Sequence, residues 1–304
     1  MGLLSGSVSV TRFNVPSRPE ELDFESARFF AIQPGSEVKE RVGFVPMEPE
    51  APYQIGHSRF AFRVRIDKLS ADPTAVRERL KELIKTELET TGASSVGARK
   101  RKMLRELAEE ELLVQATPRS KIIEGVLDDR LLYVASTAKS YLGTVLLLLR
   151  QIGVVAEPKA PWLDAGDGDI ESDILETSEP GQSILGSRFV KALVGDSVLT
   201  LEPASGNIRL QTREARVTLA GVVLPDLLRY MERGAEILSA RLTTGEIGFR
   251  FDALDYRING LKVESGRHDH WAELLDERLE GISAAWELLD RKFEELKPRL
   301  LTEG

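Results

Sequence analysis

The sequence contains no cysteine, which removes disulfides, thiolate nucleophiles, Cys-ligated zinc and iron–sulfur clusters together. Histidine is nearly as scarce, with only His57, His268 and His270. Long hydrophobic runs are missing too: the longest strongly apolar stretch, Val145–Leu149, falls far short of the roughly 20 residues that span a bilayer. Met1 to Val10 has neither a basic start nor a long apolar core, so no signal peptide is expected and a cytoplasmic location away from membranes is. No Walker loop, dinucleotide glycine fingerprint or serine elbow occurs, and the expectation is a protein without catalysis or cofactor.

Positive charge is also in deficit, with 41 Lys and Arg against 49 Asp and Glu, a net charge of −8. The deficit is local. Residues 156–179 hold eight acids and one base, so the remainder is nearly neutral and can still group its cations.

What is present reads as an α+β chain of antiparallel sheets with a projecting helical hairpin and a long C-terminal helix. At 304 residues it is long enough for two lobes, or for one large domain with an excursion. The expected division is an N-terminal lobe over 1–155, an acidic linker or loop over 156–182, and a C-terminal lobe over 183–304. In residues 58–68, Phe60, Phe62, Val64 and Ile66 alternate with Arg59, Ala61, Arg63 and Arg65, the period of a strand with one buried face. Pro73 and Thr74 open a helix striped by Val76, Leu80, Leu83, Ile84 and Leu88. After the turn Gly92–Gly97 a second helix carries Met103, Leu104, Leu107, Ala108 and Leu112. The hairpin so formed covers about 74–116. Strands near 121–127 and 131–135 and a helix from about Thr137 to Ile152, closed by Gly153, complete the first lobe.

The second lobe is expected to hold strands around 188–201, 207–219, 237–243, 246–252 and 256–263, with a helix opening at Pro225. Its final helix, about 270–297, should stop at Pro298. Leu275, Leu279, Ile282, Trp286, Leu289, Phe293 and Leu296 fall at alternating spacings of four and three, a heptad seam. Such a seam lies on its own sheet or meets a second subunit.

Two basic clusters stand out. Arg99, Lys100, Arg101, Lys102 and Arg105 place five cations in seven residues at the start of the second hairpin helix, where the helix dipole disfavours them. The acids Glu106, Glu109, Glu110 and Glu111 come later, the weaker order for pairs one turn apart. An anionic partner explains that order; a solvated basic turn is the plain alternative. Arg59, Arg63 and Arg65 form the second cluster, spaced along one strand face so that their planar forks can follow phosphates. Cross-strand acids are the plain alternative there. Arg119 and Lys121 extend the same neighbourhood. A metal site at His268-Asp269-His270 lacks a third ligand. The acids of 164–173 lack the spacing of a calcium loop and the histidine or lysine set of a metal-dependent nuclease, so a solvated loop is expected.

The order of features over 76–152 resembles the recombination-associated RdgC family: Gly97-Ala98-Arg99-Lys100-Arg101-Lys102, then Leu112-Leu113, Pro118-Arg119-Ser120, Leu131-Leu132-Tyr133-Val134 and Ser136-Thr137-Ala138-Lys139. Gly43-Phe44-Val45-Pro46 is similar to that family's Gly-Trp-Val-Pro turn, and 241–263 to its C-terminal strands. The resemblance implies a ring-shaped homodimer that binds double-stranded DNA without sequence preference. Such a protein is associated with the nucleoid and restrains the RecA recombinase indirectly, by occupying DNA. Where the family has Pro-Arg-Ala-Phe, this chain has Val114-Gln115-Ala116-Thr117, and Leu210-Gln211-Thr212-Arg213 replaces a Lys-Arg-Gln run. These departures favour a rival reading, a protein-interaction or scaffold module that keeps the fold without DNA.

Overall fold

A computed structural model describes residues 2–302 apart from 34, 35, 37, 115, 166–171 and 246. The class is α+β, built on a large antiparallel sheet. In chain order the strands and helices begin with β1 (Ser7–Ser17), β2 (Glu40–Val45), β3 (Gln54–Ile55) and β4 (Arg59–Lys68). The hairpin helices α1 (Pro73–Thr91) and α2 (Ala98–Leu113) come next, then β5 (Arg119–Asp128), β6 (Leu131–Val134), α3 (Lys139–Gln151) and β7 (Val155–Pro158). The chain continues with α4 (Pro161–Ala165), α5 (Leu185–Ala192), β8 (Thr200–Leu201), β9 (Asn207–Gln211) and β10 (Arg216–Ala220). Last are α6 (Leu224–Glu232), β11 (Glu236–Thr244), β12 (Ile247–Asp252), β13 (Arg257–Lys262) and α7 (Trp271–Thr302). No described helix is long and apolar enough to cross a membrane.

The chain divides into two units, but not at 156–182. Unit 1 comprises Met1–Leu22, Met47–Phe62 and Ile123–Gly304, and unit 2 comprises Asp23–Pro46 and Arg63–Ile122. The acidic stretch is no linker, because its flanks are built into unit 1. There β7 pairs with β1, Trp162 is fully buried, and its Nε1 donates to the Gly181 carbonyl at 3.0 Å. A large apolar residue anchors a segment that composition alone marks as solvated.

Unit 1 follows the strand path β10-β9-β11-β12-β13-β1-β6-β5, with antiparallel neighbours throughout. Its centre is β1, where Val8 and Val10 are buried and Ser7 pairs with Lys262. The seam of α7 packs at home: Leu275, Leu279, Ile282, Trp286, Leu289 and Phe293 are all buried in the core of this unit. An aromatic cluster fixes the helix, with Phe293 5.7 Å from Trp162 and 5.5 Å from Phe189 between ring centres. A polar lock sits beside it. Arg12 grips Asp290 with both guanidinium nitrogens (2.8 and 2.9 Å) and lies 4.7 Å over the Trp286 ring. The buried Tyr256 hydroxyl donates to Asp290 at 3.1 Å; burial, then the Asp290 charge, holds that phenol protonated far above its usual range.

Two sequence expectations fail here for local reasons. The segment near 188–201 begins as the helix α5, because Leu185, Phe189 and Leu193 bury one face at a four-residue period. Helix α7 runs through Pro298. A proline removes one backbone bond, and the fully buried Leu300 beyond it, whose carbonyl accepts from Arg188 at 3.0 Å, keeps the last turn in place.

Arg278 on α7 is buried without a carboxylate contact among the described residues. It donates instead to the carbonyls of Leu3, Gly6 (2.7 Å) and Val263 (3.0 Å), while the Leu3 amide donates to Glu124 at 2.6 Å. Burial pulls the guanidinium below its ordinary range, opposed by the Glu124 charge. Arg278→Met leaves these carbonyls without their donor and is expected to cost about 2–4 kcal/mol in urea denaturation. A loss below about 0.5 kcal/mol would refute this role.

Unit 2 contains β2 paired antiparallel with residues 63–68 of β4, and the hairpin α1–α2. Asp72 caps α1 by accepting from the Thr74 amide (3.1 Å), and Gly92 (φ +66°) closes it in the left-handed region that glycine enters without strain. The ion pairs Arg79–Glu111 (2.7 Å) and Lys100–Glu87 (3.0 Å) make the two helices antiparallel, and they pack chiefly on each other. On α2 only Leu104 and Ala108 are buried. Met103 and Leu107, expected in the same stripe, stand exposed on the outer face.

Candidate nucleic-acid interface

Nine of the ten cations singled out in the sequence belong to unit 2; Arg59 belongs to unit 1. Unit 2 carries 17 Lys and Arg against 14 Asp and Glu, a net +3 in a chain of −8. The acidic excess of the protein therefore lies wholly in unit 1.

The first turns of α2 present the cluster. Gly97 precedes the helix and offers no side-chain cap. Arg99 and Arg101 are exposed, and no acid among the described residues pairs with either. Lys100 reaches across the hairpin to Glu87, whereas Lys102 and Arg105 meet Glu106 (3.8 Å) and Glu109 (3.1 Å) one turn on. Lys102 is 79% and Arg105 67% exposed, and surface pairs of this kind are worth less than about 1 kcal/mol. At the start of β5, Arg119 is exposed with no partner among the described residues, and Lys121 is exposed beside it.

The arginines of β4 are placed differently. Arg65 binds Asp67 through Nε (2.8 Å) and Nη2 (2.9 Å), reaches Ser120 at 3.2 Å, and lies 4.6 Å over the Phe29 ring. That segment crosses the strand face closely: a Cβ on Gly43 would come within 2.4 Å of the Phe29 backbone, so glycine is required there. The hydrogen bond to Asp67 raises the Arg65 pKa, despite some desolvation. Burial works against the Asp67 charge, but hydrogen bonds with Arg65 and Ser120 outweigh it and hold the carboxyl below its ordinary range. Arg59 is held by Asp128 at 2.7 Å and by Asp276, and the bond to Asp128 leads in raising its pKa. Arg63 is half-buried. Arg59 meets a cross-strand acid, as the plain alternative expected, whereas Arg65 meets an acid of its own strand.

Arg59 and Arg65 are anchored by acids, whereas the α2 cations are exposed and at most held in surface pairs, a difference that can be measured. Arg65→Gln is expected to destabilise by about 1–3 kcal/mol, because Asp67 stays buried with less to hold its charge. Duplex affinity should then change by less than about two-fold. A larger affinity loss in a variant of unchanged melting temperature would return Arg65 to the interface.

Among the described residues no group of three or more His, Asp and Glu side chains is placed to hold a metal. His268 is engaged by Glu277 (2.6 Å) and Glu273 (3.7 Å), and His270 lies beside Trp271. Residues 166–171, the middle of the acidic loop considered for calcium or a nuclease, lie outside the described residues, as does Gln115.

No protein-family model and no curated protein matches the chain. Sequence reasoning missed two further cations of unit 2 that lie outside this cluster, Lys39 and Arg77, which are exposed and have no acid partner among the described residues. Neither lies in a basic run, so only the folded unit brings them together.

The His268–Glu277 pair makes a separate, pH-dependent prediction for unit 1. The hydrogen bond that His268 donates to Glu277 raises the His268 pKa above 6.5, and the same bond, helped by the Gly266 amide (2.8 Å), lowers that of Glu277 below 4.5. A raised histidine stabilises below its unfolded value and loses that contribution as pH rises through the folded value. A lowered carboxylate does so above its unfolded value and loses it as pH falls through the folded one. The pair thus tethers residues 266–268 to α7 best between about pH 4.5 and 6.5. Imidazole NMR titration of His268 is expected to give a midpoint above 6.5, falling in Glu277→Gln; a midpoint at or below 6.5 in both proteins rules the pair out.

Proposed function

We propose that this protein binds double-stranded DNA without sequence preference, as a homodimer, and modulates recombination by occupying DNA rather than by catalysis. The observation that carries the reading is the first two turns of α2, where exposed Arg99 and Arg101 have no acid partner among the described residues and Lys102 and Arg105 are only loosely paired. Cations without internal partners at a helix N-terminus destabilise the isolated helix, and phosphates relieve that cost. Lys100, Arg119 and Lys121 extend the footprint. The resemblance to the RdgC family supplies the association with the nucleoid and the indirect competition with RecA recombinase; it also supplies the ring form of the dimer.

Anisotropy of a labelled random-sequence duplex, measured over a range of salt, tests the reading. Tight binding at low salt that weakens steeply, with equal affinity for unrelated sequences, is expected from counterion release. Absence of binding at low salt would leave the rival, a scaffold module. One observation favours that rival: Met103 and Leu107 are exposed on α2 and Val114 just past its end, apolar surface suited to a protein partner.

A further inference from the structure

At the flank of the hairpin, unit 2 contains a groove of about 490 Å³ that shares only Arg105 with the proposed DNA footprint. Its long walls are the first two turns of α1 and the last turns of α2, and its floor is apolar: Leu69, Val76, Leu80 and Leu113. Val76 is buried, but the other three are only half-covered, so the groove is an open apolar strip. The positions repeat helically, with Val76 and Leu80 one turn apart on α1 and Arg105, Glu109 and Leu113 on successive turns of α2.

The rim is cationic. Lys39 and Arg77 line it, exposed and without an acid partner among the described residues, and Arg105 stands opposite with Glu109 as its only acid. Three cations and one carboxylate leave a net +2 around an apolar floor. A small inorganic anion would waste the floor, and a nucleic-acid backbone offers nothing apolar to fill it. The two features together fit one class of ligand. Its apolar side chains would sit one helical turn apart over Val76, Leu80 and Leu113, and its carboxylates would flank them toward Lys39 and Arg77.

We infer that this groove is a docking site for an acidic amphipathic helix of a partner protein, which would lie along α1 and α2 as a third helix. The groove length covers about two turns, so two apolar anchors and two or three acids make the recognised segment. Affinity in the micromolar range is expected for so short a helix, with much of the selectivity set by charge. The inference does not rest on DNA binding, because Lys39, Arg77 and the floor are not part of the proposed footprint.

Three labelled, helix-stabilised 14-residue peptides test it by anisotropy on the full chain: one with a leucine pair one turn apart flanked by glutamates, one with lysines replacing the glutamates, and one with serines replacing the leucines. The acidic leucine peptide should bind, and each of the others at least about ten-fold more weakly. The double variant Lys39→Glu/Arg77→Glu, both exposed and in no ion pair among the described residues, should lower that affinity by about ten-fold or more while its melting temperature and duplex affinity stay as in the wild type. Equal binding of the acidic and basic peptides, or binding unaffected by the double variant, overturns the site. So does failure of all three peptides to bind. If the double variant instead weakens the duplex and no peptide binds, the two cations belong to the DNA surface and the groove reading falls while the DNA reading stands.

Discussion

Replacing Arg99, Lys100, Arg101 and Lys102 together by glutamine is expected to flatten the salt dependence of duplex binding by about 3–4 in the log–log slope, at about 0.9 for each phosphate released. Affinity at low salt should fall by at least about a hundred-fold, equally for every sequence. The fold should survive, because all four residues are exposed and only Lys100 makes an ion pair across the hairpin, while Leu104 and Ala108 hold the helix down. Removing like charges from a helix N-terminus should even stabilise the hairpin slightly, since the dipole no longer opposes them. Loss of binding with a retained or raised melting temperature is the signature of a functional cluster. An unchanged slope would place the footprint elsewhere.

Phe293→Glu should unfold unit 1. The Phe293 ring lies between Trp162, Phe189 and Tyr256 with almost no exposure, so a carboxylate there is buried with no partner or takes up a proton. A loss of more than about 4 kcal/mol is expected, a large share of the stability of any single domain. Circular dichroism and size exclusion should therefore report an unfolded or aggregated chain. A folded monomer, the outcome if the α7 seam joined two subunits, would contradict the packing. Ala284→Glu, on the exposed side of the same helix, should leave stability within about 0.5 kcal/mol and is the control.

The contrast between these two sites explains what the sequence could convey. Periodic segments were legible: the hairpin, α3 with its closing Gly153 (φ +82°), strands β11 to β13 and α7 all lie close to where their spacing puts them. The cluster at 99–105 was legible because it is consecutive, and a helix displays consecutive residues locally. Periodicity says that a face is buried and not what buries it, so the α7 seam, read first as lying on its own sheet, also admitted a subunit contact. The β4 arginines misled for a related reason. Asp67 stands two residues after Arg65 on the same strand, and only the pairing geometry turns that proximity into a two-point grip. Lys39, Arg77 and the unit boundary were not legible, since each depends on residues brought together from distant parts of the chain.

The register of β1 has a consequence for biosynthesis. Ser7 pairs with Lys262, so the central strand of unit 1 waits for a partner made some 250 residues later. During translation α1 and α2 emerge early and need only each other, whereas β1 leaves the ribosome with an unsatisfied edge. Until β12, β13 and α7 arrive, that edge is open to wrong partners, and chaperone engagement of nascent chains should concentrate on β1 before residue 262 is made. Premature termination ahead of α7 would therefore yield a chain with a formed hairpin and no closed sheet, a candidate for degradation instead of a shortened working protein.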